Sequence, residues 1–346
     1  MIPIIYAFPK INTLEPGVPN NLTIEFDKNP SPKLIKYGFN NINEEIRAFG
    51  SEHYKAGLNF DFSRTDKKSM DAMSKEVFGV KKNDIKFDSN FAQFWEMLNV
   101  FGLLKKPNET IYTTNASTSE DVSKVYQILH KTKNTYHITE KAPKAASVVI
   151  YKYSEIDIDE NASIQFIIDS MPKLLSSQTQ GSSMILQLNS LQTQTSAEII
   201  YYLASMYNEA YLTKPLASSD LSDIKYLVLI GFKPQPTFFP KIPPNTYLSS
   251  LGIKNLPENF VMVIQCINSE IIPKKYNTYN RIRAYIDSKV YEGATYESMI
   301  NKQDENTKQW FETFGQAEGM DKLLDQALAE SGNKCLSYGQ LVDIFS

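Results

Sequence analysis

The chain has 346 residues, of which 42% are hydrophobic and 22% charged, and its formal net charge is −3. That length buries a sizeable core without staples, and the composition argues against a largely disordered chain. The slight acidity argues against a whole-surface electrostatic grip on nucleic acid, which needs many phosphate-neutralising cations, and leaves room only for a local basic patch.

Residues 1–50 read as an N-terminal arm. Pro3, Pro9, Pro16, Pro19, Pro30 and Pro32 interrupt any long regular element, because proline fixes φ and has no N–H to donate. The opening MIPIIYAFPK has no charged segment before its apolar stretch and no small-residue cleavage site, so it is not read as a signal peptide. The span 67–82 reads as a helix, and Asp88 or Ser89 offers an N-cap for a stronger helix in FAQFWEMLNVFGLL. A short strand is expected at Thr110–Thr113. A helix at Ser119–His130 follows, with Glu120 and Asp121 in the first turn, where the helix dipole favours acids. Ala146–Tyr151 (ASVVIY) has the β-branched density of a strand buried on both faces.

The pattern then alternates. A helix at Ala162–Ser176, bent at Pro172, leads to a strand at Ser183–Asn189. A helix at Ser196–Asn208 precedes strands at Glu209–Thr213 and Lys225–Phe232. Such alternation predicts an α/β fold with a mostly parallel, Rossmann-like sheet covered on both faces, in which the last strands pair in either sense. KPQPTFFPKIPP at Lys233–Pro244 reads as a linker. Helices are expected at Tyr276–Ile300 and Glu305–Ala329, with Leu341–Phe345 packing back. The expected organisation is an arm over 1–50, an α/β domain over 51–232, and a linker with a helical extension over 233–346.

Few residues offer chemistry. The two cysteines, Cys266 and Cys335, form no Cys-x-x-Cys pair, so they read as reduced thiols of a cytosolic-type protein. His53, His130 and His137 have no metal-ligand spacing and read as surface or cap histidines; no metal is expected. No apolar run approaches the roughly 20 residues of a membrane span. Neither GxGxxG nor GxxxxGK[ST] occurs, and the turn after the first α/β strand, Thr114–Ser119 (TNASTS), has no glycine. Lys214-Pro215, followed by serines and acids and then Tyr226-Leu227-Val228, is the most distinctive stretch.

Residues 183–232 resemble the C-terminal half of the FtsJ-like 2′-O-methyltransferases. Members of that family read as a strand ending in lysine, a helix, a strand running into Lys-Pro-x-x-Ser-Arg, and a Glu-x-Tyr opening the next strand. Upstream, Phe94-Trp95-Glu96 falls on the family's Leu-x-Glu, and Ser147–Lys152 on its strand ending in aspartate. The resemblance spans about 90–232. It implies a catalytic Lys-Asp-Lys-Glu set, whose positions here hold Gln93, Lys152 (or Tyr151), Gln187 and Ile224, with Asp223 beside the last. Ser219 stands where the family has arginine. A glutamine neither accepts a proton nor carries the charge that activates a hydroxyl. A turn without glycine keeps its backbone away from a ligand.

A methyltransferase fold stripped of its chemistry resembles the small subunit of poxvirus-type mRNA capping enzymes. Ser31–Asn40, Phe91–Leu98 and the helical tail around Tyr276–Tyr296 add to that likeness in the same order. The resemblance implies a non-enzymatic regulatory subunit with no cofactor of its own. Its partner would be the large catalytic subunit, whose cap guanine-N7 methyltransferase it stimulates. It also implies a part in viral transcription with the RNA polymerase, RNA contact only through the complex, and residence in host cytoplasm and virion. Two alternatives stay open: a structural or scaffold protein on an inactive methyltransferase fold, and an active 2′-O-methyltransferase with a rearranged site.

Overall fold

The computed structural model describes residues 2–11, 24–30, 61–80 and 86–345, apart from positions 105, 108, 134, 136, 154–159, 254 and 289–292. Most of the expected arm, the Ser31–Asn40 stretch and His53 lie outside the described residues.

The first described element is strand β1 (Ile4–Ala7), and β2 (Glu25–Asp27) follows. Helix α1 (Lys67–Val77) starts at the Asp66 cap, which accepts from Ser69 N. Helix α2 (Ser89–Val100) starts where the Asp88 carboxylate accepts from Asn90 N and Phe91 N, satisfying two of the donors that a helix start leaves open. Then come β3 (Ile111–Thr113), α3 (Ala116–His130), β4 (Ile138–Thr139), β5 (Ala146–Tyr151), α4 (Glu160–Ser176) and β6 (Gln178–Asn189). The second half carries α5 (Gln194–Ala204), β7 (Tyr207–Lys214), β8 (Ile224–Phe232), β9 (Tyr247–Ser250), α6 (Glu258–Ser288), α7 (Ala294–Phe314) and α8 (Asp321–Phe345).

Seven strands form one sheet in the order β1-β7-β8-β6-β5-β3-β4, and β2 pairs with β9 separately. Neighbours from β4 to β6 are parallel. β8 runs antiparallel between β6 and β7, and β1 pairs antiparallel with β7. Five of the seven strands therefore share a direction, and the sheet is the mixed, Rossmann-like one expected. The open question about the last strands resolves as antiparallel pairing.

Side chains alternate across the sheet, so each strand feeds two cores. One core joins Tyr112, Val149, Leu186 and Leu227 to α4, α5 and the first half of α6. The other joins Ile111, Ile150, Ile185 and Tyr226 to α1, α2, α3, α7 and the start of α8. The result is three layers, helix on sheet on helix.

Two boundaries of the expected organisation differ. The arm supplies a sheet strand: Ile4, Ile5 and Tyr6 are buried and paired with β7 in register from Ile4–Lys214 to Ala7–Tyr211. The flanking prolines Pro3 and Pro9 only limit its length. Residues 233–346 are no appendage either. Leu248, Phe260 and Ile264 pack in one core, and Trp310, Phe311 and Phe314 in the other. The helix expected over Tyr276–Ile300 ends at Ser288, and α7 restarts after Gly293, whose φ of 81° suits glycine. The stretch at Lys233–Pro244 holds no helix or strand, as its prolines dictate.

Candidate functional site

In an open α/β sheet, ligands bind outside the carboxyl ends of the strands, at the point where successive connections leave in opposite directions. Here that point lies between β3 and β5: β4 adds on one side of β3, and β6 continues on the far side of β5. Thr114 and Asn115 follow β3; Lys152 and Tyr153 follow β5.

Hydrogen bonds lace these two strand ends together. Asn115 Nδ2 donates to the Lys152 carbonyl at 2.6 Å, while its Oδ1 caps α3 by accepting from Thr118 N at 2.8 Å. Thr114 Oγ1 accepts from Lys152 N at 3.2 Å and donates to Lys152 O at 3.1 Å. The Lys152 ammonium reaches back to α2, donating to Asn90 Oδ1 at 2.9 Å and lying 5.5 Å over the Phe94 ring. Burial pushes the Lys152 ammonium below its ordinary range, and the carboxylates of Asp121 and Asp88 offset only part of that. The adenosyl cofactor that the methyltransferase resemblance implies would meet no glycine at the β3 turn, where Thr114 and Asn115 are bonded to the neighbouring strand end.

Of the four positions marked by the methyltransferase resemblance, Gln93, Gln187 and Ile224 lie around Tyr226, while the Lys152 side chain turns to Asn90. Gln93 Oε1 accepts from Tyr226 OH at 3.1 Å, and Tyr226 stands directly across the β6–β8 ladder from Gln187. Ile224, two residues before Tyr226, shares its face of the strand and packs against the same core. Tyr153 OH lies 2.9 Å from Ser163 Oγ and within hydrogen-bonding reach of Gln187. Gln187 Oε1, Thr113 Oγ1 and Thr118 Oγ1 are buried without a protein partner. Burial raises both phenols, Tyr153 and Tyr226, far above the range of a useful base. Of the nearby carboxylates, Asp121 is raised by burial and held 3.1 Å from the Lys124 ammonium. It does not sit in the first helical turn as expected: α3 begins at Ala116, under the Asn115 cap, so Ala116–Ser119 belong to the helix.

The Lys-Pro stretch is built into loop architecture. Lys214 Nζ donates to Ser222 O at 2.5 Å and lies 3.4 Å from Ser218 Oγ. Burial, helped by the charge of Lys225, pushes this amine down to about 7. Asp223 pairs with Lys275 at 2.6 Å, and the Ser219 hydroxyl donates to the Asp61 carboxylate. Glu96 holds the loop from below. Its carboxylate accepts from Leu216 N and Ala217 N at 2.8 Å each and from Trp310 Nε1 at 2.7 Å. No cation joins it, and burial pushes its carboxyl up to about 7.

Asn90 and Tyr153, which help lace the crevice, were not singled out from sequence, whereas Asn115 and Tyr226 lie in stretches that were. Asn115 carried a readable signal, a capping residue three positions before Thr118. His130 Nε2 contacts Leu104 O at 3.0 Å, and both His130 and His137 stack near Tyr126. Among the described residues, no group of three His, Cys, Asp or Glu side chains is placed to hold a metal. No helix among them is long and apolar enough to cross a membrane.

No protein-family model matches the chain. A protein of Acanthamoeba polyphaga mimivirus, described only as uncharacterized, is 46% identical over 354 aligned positions, covering the full length of both chains.

Proposed function

Since the chain belongs to one family with that mimivirus protein, we propose that it is a viral regulatory subunit that acts by binding and carries out no chemistry. The observation that supports this most is the laced crevice between β3 and β5, where Asn115 and Thr114 bond to Lys152 in the place of a ligand. The surrounding Gln93, Gln187 and Ile224 offer no group that takes a proton near neutral pH. In this reading the protein keeps a methyltransferase-like fold for its surface. Its partner is the large catalytic subunit of an mRNA capping enzyme, and binding raises the guanine-N7 methyltransferase activity of that subunit. The subunit has no cofactor, meets RNA only within the complex, and works in host cytoplasm and virion alongside the viral RNA polymerase.

Stimulation of this kind requires tighter binding to the active conformation of the partner than to the inactive one. A tenfold effect needs only about 1.4 kcal/mol of difference. The test titrates this chain into the purified methyltransferase domain of the large capping subunit from the same genome. Cap N7-methylation is expected to rise and saturate with complex formation. No change in rate at saturating complex removes the regulatory role and leaves a scaffold.

A further inference from the structure

Helices α6 and α8 pack antiparallel, and their facing residues follow turn by turn. At one end Gly339 approaches Met262: a Cβ added there would lie 3.5 Å from Met262 Cε. At the other, Lys334 Nζ sits 3.2 Å from Glu270 Oε2, which also accepts from Tyr6 OH of β1 at 2.9 Å. Between these contacts stand Cys266 on α6 and Cys335 on α8. They are the sole cysteines of the sequence. Cys266 is buried and Cys335 half-buried, and both pack in the same hydrophobic core. The sequence alone presented two separate thiols 69 positions apart; the fold sets them face to face.

We propose that Cys266 and Cys335 are an oxidisable pair that forms a reversible intrachain disulfide, tethering the C-terminal helix to α6. Cys335 is the entry point, because it is the more exposed of the two. The oxidant class is a low-molecular-weight disulfide such as glutathione disulfide. The Cys335 thiolate attacks one sulfur of that disulfide and expels the other as a thiolate, which takes up the proton Cys335 released. Cys266 then loses its proton and attacks the Cys335 sulfur, and the second small thiolate leaves and takes up that proton. Two protein thiols are oxidised to one disulfide, and one small disulfide is reduced to two thiols. The bond closes the loop that contains α7, which restricts the unfolded chain more than the folded one.

The experiment incubates the full chain with glutathione disulfide. Expected are the loss of both titratable thiols, an intact mass lower by two hydrogens, and a Cys266–Cys335 cross-linked peptide in a non-reducing digest. The thermal midpoint rises, and dithiothreitol returns it to the starting value. Cys335→Ser shows none of these changes. Should that variant fail to fold, Cys266→Ser and the peptide map of the unaltered chain decide. Persistence of both thiols overturns the proposal, and so does a stable glutathione adduct at Cys335 or a disulfide between two chains.

Discussion

Glu96 sits 3% exposed, with three N–H donors around its carboxylate and no cation among them. It ties α2 to the loop after Lys214 and to Trp310 of α7, so three separate stretches of sequence meet at one side chain. Burial outweighs the three donors and lifts the carboxyl to about 7. The folded state therefore holds this proton more tightly than the unfolded state. Its contribution to stability is complete below the ordinary glutamate range and declines as pH rises through about 7. Glu96→Gln turns an amide donor toward backbone donors, and at pH 5 it is expected to cost roughly 1–3 kcal/mol in urea denaturation. The gap between the two proteins should narrow from pH 5 to pH 8; a gap that stays constant would contradict the raised carboxyl. Glu96 was visible in sequence through its Leu-x-Glu likeness, but its partners were not. Trp310 is 214 positions away, and hydrophobic periodicity carries no information about which distant donor meets a buried acid.

The sheet strands were legible because their β-branched runs are short and bounded, as in ASVVIY of β5. Helix ends were read less well. The helix expected to run from Ser196 to Asn208 stops at Ala204, and Tyr207 already begins β7. The apolar residues there suit either period, and pairing with β8 decides. The first half of α6 was not among the expected helices, although two prolines flank and interrupt it. Pro257 lies just ahead of the helix, where its missing N–H costs nothing, and Pro273 is held inside a long, well-packed helix. At the end of the β7–β8 ladder, Gly231 adopts φ +79°, and a Cβ there would lie 2.5 Å from Asn208 Nδ2. Gly231→Ala is therefore expected to lower stability by about 1–2 kcal/mol, the cost of a left-handed conformation for a residue with a Cβ. Thermal denaturation reads this directly, and an unchanged midpoint would show that the ladder does not need glycine there.

Across the whole molecule, the two cores draw on both ends of the chain. Ile4 and Tyr6 join one, and Trp310 and Ala327 the other, so strand β1 of the expected arm and the helices of the extension are parts of one packed body. The fold class was legible from strand–helix alternation. The lacing was not, since it depends on Thr114 and Lys152, 38 positions apart, meeting across adjacent strand ends. That lacing supports the proposal that this chain carries out no methyl transfer of its own. Calorimetric titration of the purified chain with S-adenosylmethionine tests it most directly. The account predicts no saturable heat into the millimolar range, with Gln187→Ala and Lys152→Ala behaving like the unaltered protein. Saturable binding at micromolar ligand, removed by either substitution, would contradict it.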